Sequence, residues 1–319
     1  MKIKSSKKDA RGGAVTSGGI ERRHARNKVA PIILLLPLAF LLIILLFGFV
    51  YGFLQSFGLL MPGKFAQGFT LDYYEKVLSD DSLGESILLS IYHSGVSSVI
   101  ATVLAVVLSY ALVATGHDRG AVWSTIKFPM FLPWTVTAMI AIDLFGGGGL
   151  MESIGEALSW DWLANISSVF LYQPSSIGII VAFVWAEIPF ISYFIVTVMS
   201  NINSSLGEAA RTMGATSNKA FLNVTLPLCM PIIKNVFLIV ATSLFSAYEI
   251  PLLLGVTKPT GIAVNLYQTY THASLAGRPE VMAMSMIVLL VSLAFIVVFY
   301  FLFQRKPKYE REQARGGRE

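Results

Sequence analysis

The feature that most constrains this chain is a nearly continuous apolar stretch, about as long as a bilayer is thick, that recurs along most of its length. A helix crossing the ~30 Å hydrocarbon core needs about 20 such residues. Candidate windows fall at 30–56, 86–114, 122–145, 171–200, 228–254 and 281–303. Of the 319 residues, 55% are hydrophobic and 13% charged, against roughly 25% charged in an ordinary soluble domain. That balance excludes a soluble enzyme. The expected fold is an all-α integral membrane protein of six transmembrane helices, one polytopic domain rather than the two that length alone suggests. Pro31, Pro37, Pro129, Pro133, Pro189, Pro231 and Pro251 fall inside the windows. Neighbouring membrane helices can re-satisfy the carbonyls that proline frees, so kinks are expected.

The basic residues sort by side. Twenty of the 24 Lys and Arg lie in the two terminal segments or around the second and fourth connections, the latter represented by Arg119, Lys127, Arg211, Lys219 and Lys234. Basic loops are cytoplasmic, which puts both termini inside and turns the acidic 58–85 connection, with Asp72, Glu75, Asp80, Asp81 and Glu85, outward. Residues 1–28 then read as a disordered cytoplasmic basic tail and 304–319 as a second one. Residues 29–57 read as the first transmembrane helix, an uncleaved signal-anchor, because the apolar run is too long for a signal peptide and lacks a small-residue cleavage site. The net charge of +5 sits beside membrane segments, so the expected partner is membrane lipid and not nucleic acid.

Chemistry of the chain's own is hard to find. Cys229 is the single cysteine, so no internal disulfide or cysteine-rich metal site can form. His24, His93, His117 and His272 are scattered, without the i, i+4 pairing of a zinc helix. The segment from Gly58 through Gly63-Lys64 has the spacing of a phosphate loop but lacks its final Ser/Thr, and it would face outward, away from ATP. The glycine run 146–149 lacks a dinucleotide fingerprint and reads as a flexible helix end. No nucleophile elbow accompanies the serines. Neither a catalytic residue, nor a metal site, nor a cofactor is expected.

The longest inner connection, 201–227, is orderly. Ser204 or Ser205 can cap a short helix through Glu208-Ala209-Ala210. Gly214 suits a left-handed helix stop, Ser217 can cap a second short helix over 218–224, and Pro227 ends it before the next span. Leu206, Met213, Phe221 and Leu222 are available as apolar contacts. Here Glu208-Ala209-Ala210, three residues, Gly214, nine residues, Val224, one residue and Leu226-Pro227 resembles the EAA loop of permease subunits of binding-protein-dependent ABC importers. Val224 stands where isoleucine is usual. The resemblance covers 86–303, the five-helix permease core of that family, with the first span as an extra helix.

It implies that the loop is a cytoplasmic coupling helix seated in a cleft of an ATP-binding subunit, with Glu208, Ala209, Ala210 and Gly214 in contact and Leu226 and Pro227 closing the motif. It implies further partners: a second permease subunit, a different chain in the polyamine-like branch, and an external solute-binding protein. The location implied is the plasma (inner) membrane of a prokaryote, with ATP hydrolysed on partner subunits and no bond change catalysed by this chain.

Three carboxylates, Asp143, Glu187 and Glu249, lie within or at the ends of the windows. Such residues usually face a bundle interior or water, because a central charge costs about 2.5–3.5 kcal/mol on insertion scales. Glu187-Ile-Pro189 and Glu249-Ile-Pro251 repeat one arrangement, in which a proline kink would open carbonyls toward a cavity, with Trp185, Tyr193 and Tyr248 near them. These six are candidate path residues; the alternative is that the carboxylates only accept hydrogen bonds from neighbouring helices. The 246–255 segment and the later Arg278-Pro279 look more like the polyamine, ferric-iron and aminophosphonate branch of these permeases than the sugar branch. Path carboxylates without a deeply buried Lys or Arg suit a cationic cargo such as spermidine or putrescine. A sugar or organophosphonate is the alternative cargo. The rival mechanism is an ion-coupled secondary transporter, which would show inverted repeats that this chain lacks at the level of halves.

Overall fold

The computed structural model describes residues 17–60 and 68–303. Most of the two basic tails, together with Lys64, lies outside the described residues. The chain divides into two units, residues 1–54 and 55–319.

The first unit is helix α1 (Ser17–Ser56). It starts upstream of the expected span, so residues 17–28 are helical, not a disordered tail. The physical reason is that 20–28 holds no proline and is rich in Glu, Arg, Ala and Lys, and extending an existing helix costs far less than starting one. From Ile33 onward no face is polar, and Ile33–Ser56 is long and apolar enough to cross a bilayer.

The second unit opens with α2 (Asp72–Leu78) and α3 (Asp81–Ala114). Asp80 starts α3, its carboxylate accepting from the Ser82 backbone N–H at 2.9 Å. That bond holds the Asp80 carboxyl below its usual range. The third span departs from expectation. Residues 122–145 are not one helix but α4 (Ala121–Ile126), a 3-10 turn (Phe128–Phe131) and α5 (Trp134–Phe145). Leu132, forced out of the helical region by the proline that follows it, is extended at ψ 130°. A tight turn at 146–149 leads to α6 (Leu150–Leu158), and the short α7 (Asp161–Ala164) and α8 (Ser167–Phe170) follow. The membrane-length segment is Trp134–Leu158.

Helix α9 (Ile177–Ile202) starts later than 171, after a turn through Pro174. It continues through a π-helical turn (Asn203–Gly207) into α10 (Glu208–Thr212). After α11 (Ser217–Ala220) and a second π turn (Phe221–Thr225) comes α12 (Leu226–Phe245). The expected span 228–254 is therefore two helices, because the chain breaks at 246–248 before α13 (Glu249–Leu254). Then come α14 (Ile262–His272) and α15 (Arg278–Phe303). Among the described residues six segments can span a membrane and no strand occurs.

Helix α9 is central. In its most apolar stretch 67% of residues are buried, against 39% for the α3 and α12 segments and 28% for the last. Phe183, Ile191, Ile195 and Met199 of α9 meet Val236, Val240 and Leu244 of α12 and Ile250 and Leu254 of α13. The most extensive helix pair is α3 with α9. Helix α3 buries a run of small residues that includes Ser94, Ser97, Ser98, Ala101, Ala105 and Ser109. Without a hydrophobic drive between helices in lipid, association rests on close van der Waals contact, which small side chains allow. Ser98 and Ser109 satisfy their hydroxyls on their own helix, at Gly95 and Ala105 carbonyls, while Ser192 of α9 reaches the Ala105 carbonyl at 3.4 Å.

The connections sort into two ends. At one, Tyr110 of α3 donates to Asn218 at 2.6 Å and Ser200 bonds Asp118, so the 115–127 and 201–227 connections are neighbours. At the other, the Ser90 hydroxyl accepts from the Ile262 N–H at 2.8 Å, and the Tyr172 N–H bonds the Leu254 carbonyl at 3.0 Å. Lys76 pairs with Glu280 there.

Candidate coupling loop and translocation path

The 201–227 loop is more continuous than its sequence suggests. Gly207, just before Glu208, is helical at φ −65°, ψ −41°. Glu208 therefore does not begin a free helix end, and neither Ser204 nor Ser205 caps one. With no orphan N–H to accept, their hydroxyls turn back to the Asn201 carbonyl at 3.1 and 3.0 Å. The stop at Gly214 is as expected: φ is +92°. Around it the Ala215 N–H bonds the Ala210 carbonyl at 3.1 Å and the Gly214 N–H bonds Arg211 at 2.9 Å, the paired bonds of a Schellman motif. The following helix is capped by Thr216, whose Oγ1 accepts from Lys219 N–H at 3.4 Å, and not by Ser217. Pro227 does not end that helix. It lies in the first turn of α12, directly after the π turn; the wider turn gives room where the ring would otherwise press on the carbonyl four residues back.

The loop's two sides differ. On the inner side Ala220 is buried, and Phe221 and Leu226 pack on the bundle core. The Phe221 ring lies 4.1 Å from that of Tyr110. Leu226 thus anchors the loop to its own bundle. On the outer side Glu208, Ala209, Gly214 and Pro227 are exposed, with Ala210 half-buried. Met213 is 89% exposed at the tip, and Leu206 and Leu222 are more than half exposed. Sequence reasoning missed Tyr110, Asn218 and Thr216 as the residues that set this loop. Thr216-Ser217 offers two adjacent caps in sequence, each with a backbone N–H three residues on, and only the structure shows that Thr216 is the one that bonds.

The six path residues do not converge. Glu187 is buried in the middle of α9 and lines a cavity of about 200 Å³ with Trp134, Phe190, Ser243 and others. Asp143 is exposed and lines a different cavity, about 580 Å³, formed with the glycine turn 146–149 and Tyr172. The tightness of that turn explains one glycine: a Cβ on Gly149 would sit 2.8 Å from the Asp143 carbonyl oxygen. Glu249 opens α13, half-buried, and Tyr248 stacks on Tyr267 at 5.2 Å. Trp185 and Tyr193 lie on an exposed stripe of α9 with Ile177 and Val181, away from Glu187. Beside Tyr193 is a cation: the Lys127 ammonium lies 6.0 Å from its ring and 5.3 Å from that of Trp123. Lys127 is half-buried and lies against these two rings; it is not a deeply buried Lys of the kind that the sequence excludes beside the carboxylates. Trp134 was not picked out in sequence because it is far from Glu187 along the chain; Phe190, three residues on and so on the same helix face, could have been.

Comparison with known proteins bears on the whole bundle. Residues 119–308 match the family described as binding-protein-dependent transport system inner membrane component. The putrescine transport system permease protein PotI of Escherichia coli K12 is 23% identical over 258 residues, 79% of this chain and 84% of its own length. The trehalose/maltose transport system permease protein MalF of Thermococcus litoralis is 25% identical, covering 71% and 76%. The sn-glycerol-3-phosphate transport system permease protein UgpA of Yersinia enterocolitica is 26% identical, covering 68% and 72%. A chain in the crystal structure of a bacterial ABC transporter involved in the import of the acidic polysaccharide alginate superposes with a TM-score of 0.70 at 19% identity, over 90% of this chain and 98% of that one. That likeness concerns the fold. With more than half of its length matched, the chain belongs to the family of inner-membrane permease subunits of binding-protein-dependent ABC importers.

Proposed function

We propose that this chain forms part of the membrane path for a small solute and takes up the work of ATP hydrolysis, done on partner subunits, through its 201–227 loop. The observation that carries this reading is the loop's tip. Two helices run out of α9 and back into α12 and meet at a Schellman stop, where Met213, Leu206 and Leu222 are exposed beside Glu208 and Ala209. Exposed apolar side chains of this size on a braced turn fit a partner protein, which would bury them at about 25 cal/mol per Å². The remaining partners are a second permease chain, different from this one, and an external solute-binding protein. Both termini face the cytoplasm of a prokaryote, as the basic residues predict.

The proposed cargo is a polyamine such as spermidine or putrescine. Support comes from the buried Glu187 beside aromatic rings and from similarity to a putrescine permease. Similarity to a trehalose/maltose permease at comparable identity supports the second reading, a sugar, with an organophosphonate as the remaining alternative.

The test is co-purification with co-expressed neighbours. An ATP-binding subunit should elute with the wild-type chain and be lost from the Glu208→Lys, Gly214→Arg double variant while the bundle stays folded. Absence of any ATPase from the wild type overturns the reading. Uptake into vesicles loaded with ATP, comparing labelled putrescine, maltose and glycerol phosphate, then decides the cargo.

A further inference from the structure

We infer that the cavity beside Glu187 is a binding site for an aliphatic ammonium group, an assignment that rests on reading the chain as an importer's membrane path. Glu187 is 7% exposed. Among the described residues neither a hydrogen bond nor an ion pair holds its carboxylate. A glutamate kept in a helix core for packing alone would be expected to have a partner, because burying an unpaired carboxylate is costly. This one lines an open space instead, with Ser243 as the other polar wall and Trp134, Phe190, Met130 and Leu132 around it.

The walls select the ligand. A hard metal ion needs several oxygen ligands, and the cavity's side chains offer oxygen only at Glu187 and Ser243. A transition metal would find one thioether, Met130, and one carboxylate, with neither His nor Cys lining the space to complete a ligand set. An anion would meet Glu187. A protonated amine needs one carboxylate and gains from aromatic faces. Both aromatic walls are fixed by a second ring: Trp134 stands edge-on to Phe183 at 6.0 Å, and Phe190 edge-on to Phe194 at 5.2 Å. A volume of about 200 Å³ equals roughly seven waters at ~30 Å³ each, enough for a short linear amine. Glu187 lies ten residues beyond Ile177, about 15 Å along the helix; if the apolar run enters the bilayer at Ile177, that is close to the middle of a ~30 Å hydrocarbon core. A cation at that depth needs such a carboxylate more than anywhere else on its route.

The test uses the full-length chain in lipid nanodiscs, with its permease and ATP-binding partners and without solute-binding protein. Equilibrium binding of radiolabelled putrescine is measured against butylamine, sodium chloride and maltose as competitors at constant ionic strength. Butylamine should displace the label; sodium and maltose should not. Glu187→Gln should weaken binding about tenfold or more, the scale of one lost charge-assisted hydrogen bond. Glu187→Asp should weaken it less, and Trp134→Leu should weaken it measurably, each variant eluting as an intact complex. Wild type that binds neither amine, displacement by sodium, or Glu187→Gln binding within about twofold of wild type overturns the site. Failure of the permease reading is seen separately, as absence of the ATPase subunit from the purified complex; the same binding assay on the chain alone still decides the cavity.

Discussion

The tripeptide Glu-Ile-Pro occurs at 187–189 and again at 249–251, and the two copies have little in common once folded. At 187–189 it lies in the middle of the 26-residue α9, with the carboxylate buried and Pro189 inside an unbroken helix. At 249–251 it starts the six-residue α13 after the chain has paused at 246–248, and Pro251 falls in the first turn. A first-turn proline removes an N–H that has no helical acceptor anyway. A mid-helix proline withdraws a real bond and leaves the Trp185 carbonyl to find another partner. The lesson is that a short motif takes its meaning from what precedes it. Upstream of Glu187 the helix runs without interruption, and upstream of Glu249 it has ended at Phe245.

The comparison can be broken at several points. The largest effect belongs to the core under the first copy. Phe183→Ala, one turn before Glu187 and fully buried, should cost about 3–5 kcal/mol in reversible unfolding in mixed micelles. The same truncation at the partly buried Leu253, one turn after Glu249, should cost clearly less; equal losses would mean that α13 is as central as α9. Next come the carboxylates, for which opposite signs are expected. Glu187→Leu should stabilise by about 1–3 kcal/mol, since it removes a buried group without a partner, while abolishing amine binding. Glu249→Leu should destabilise by about 0.3–1 kcal/mol through loss of a carboxylate at a helix start. Stabilisation at both positions would erase the distinction.

Thr216→Ala, which removes the cap of α11, should cost roughly 1 kcal/mol, read as faster amide exchange over 217–220 with α9 unaffected. The smallest effect is pH-dependent and extends the helix-start class to Asp80. The Ser82 N–H lowers the folded pKa of Asp80. Its contribution is therefore complete above its unfolded pKa of about 3.9 and disappears as pH falls through the lower folded value. Asp80→Asn should reduce stability by a few tenths of a kcal/mol at pH 7, a difference that shrinks as pH falls through the lowered folded pKa; a difference constant with pH would show that the cap does not depend on charge.

The number of spans was legible because most are long apolar runs, although the bounds of the third and fifth were not, and the Gly214 stop because only glycine meets a positive φ there without strain. Three things were not. The break before α5 is set by Pro129 and Pro133 together, whereas Pro189 and Pro231 lie within helices; composition alone treats them alike. The α3 side of its seam with α9 is mostly serines and alanines, residues that an apolar window averages away although their spacing along one face was visible. The surroundings of Glu187 come from three separate segments, at 129–134, 186–190 and 240–243, and such a meeting is tertiary by nature.

The unbroken run through Ile177–Thr212 is 36 residues long. At 1.5 Å per residue it measures about 54 Å, whereas the hydrocarbon core is ~30 Å thick, so the rod is longer than its medium by roughly 20 Å. Ser217–Phe245, 29 residues, forms the return rod. A rotation of only about 10° about one end of such a rod carries the other end sideways by roughly 9 Å. Met213 and Gly214 occupy the far end of both rods, where the smallest angular change inside the bundle becomes the largest displacement outside it.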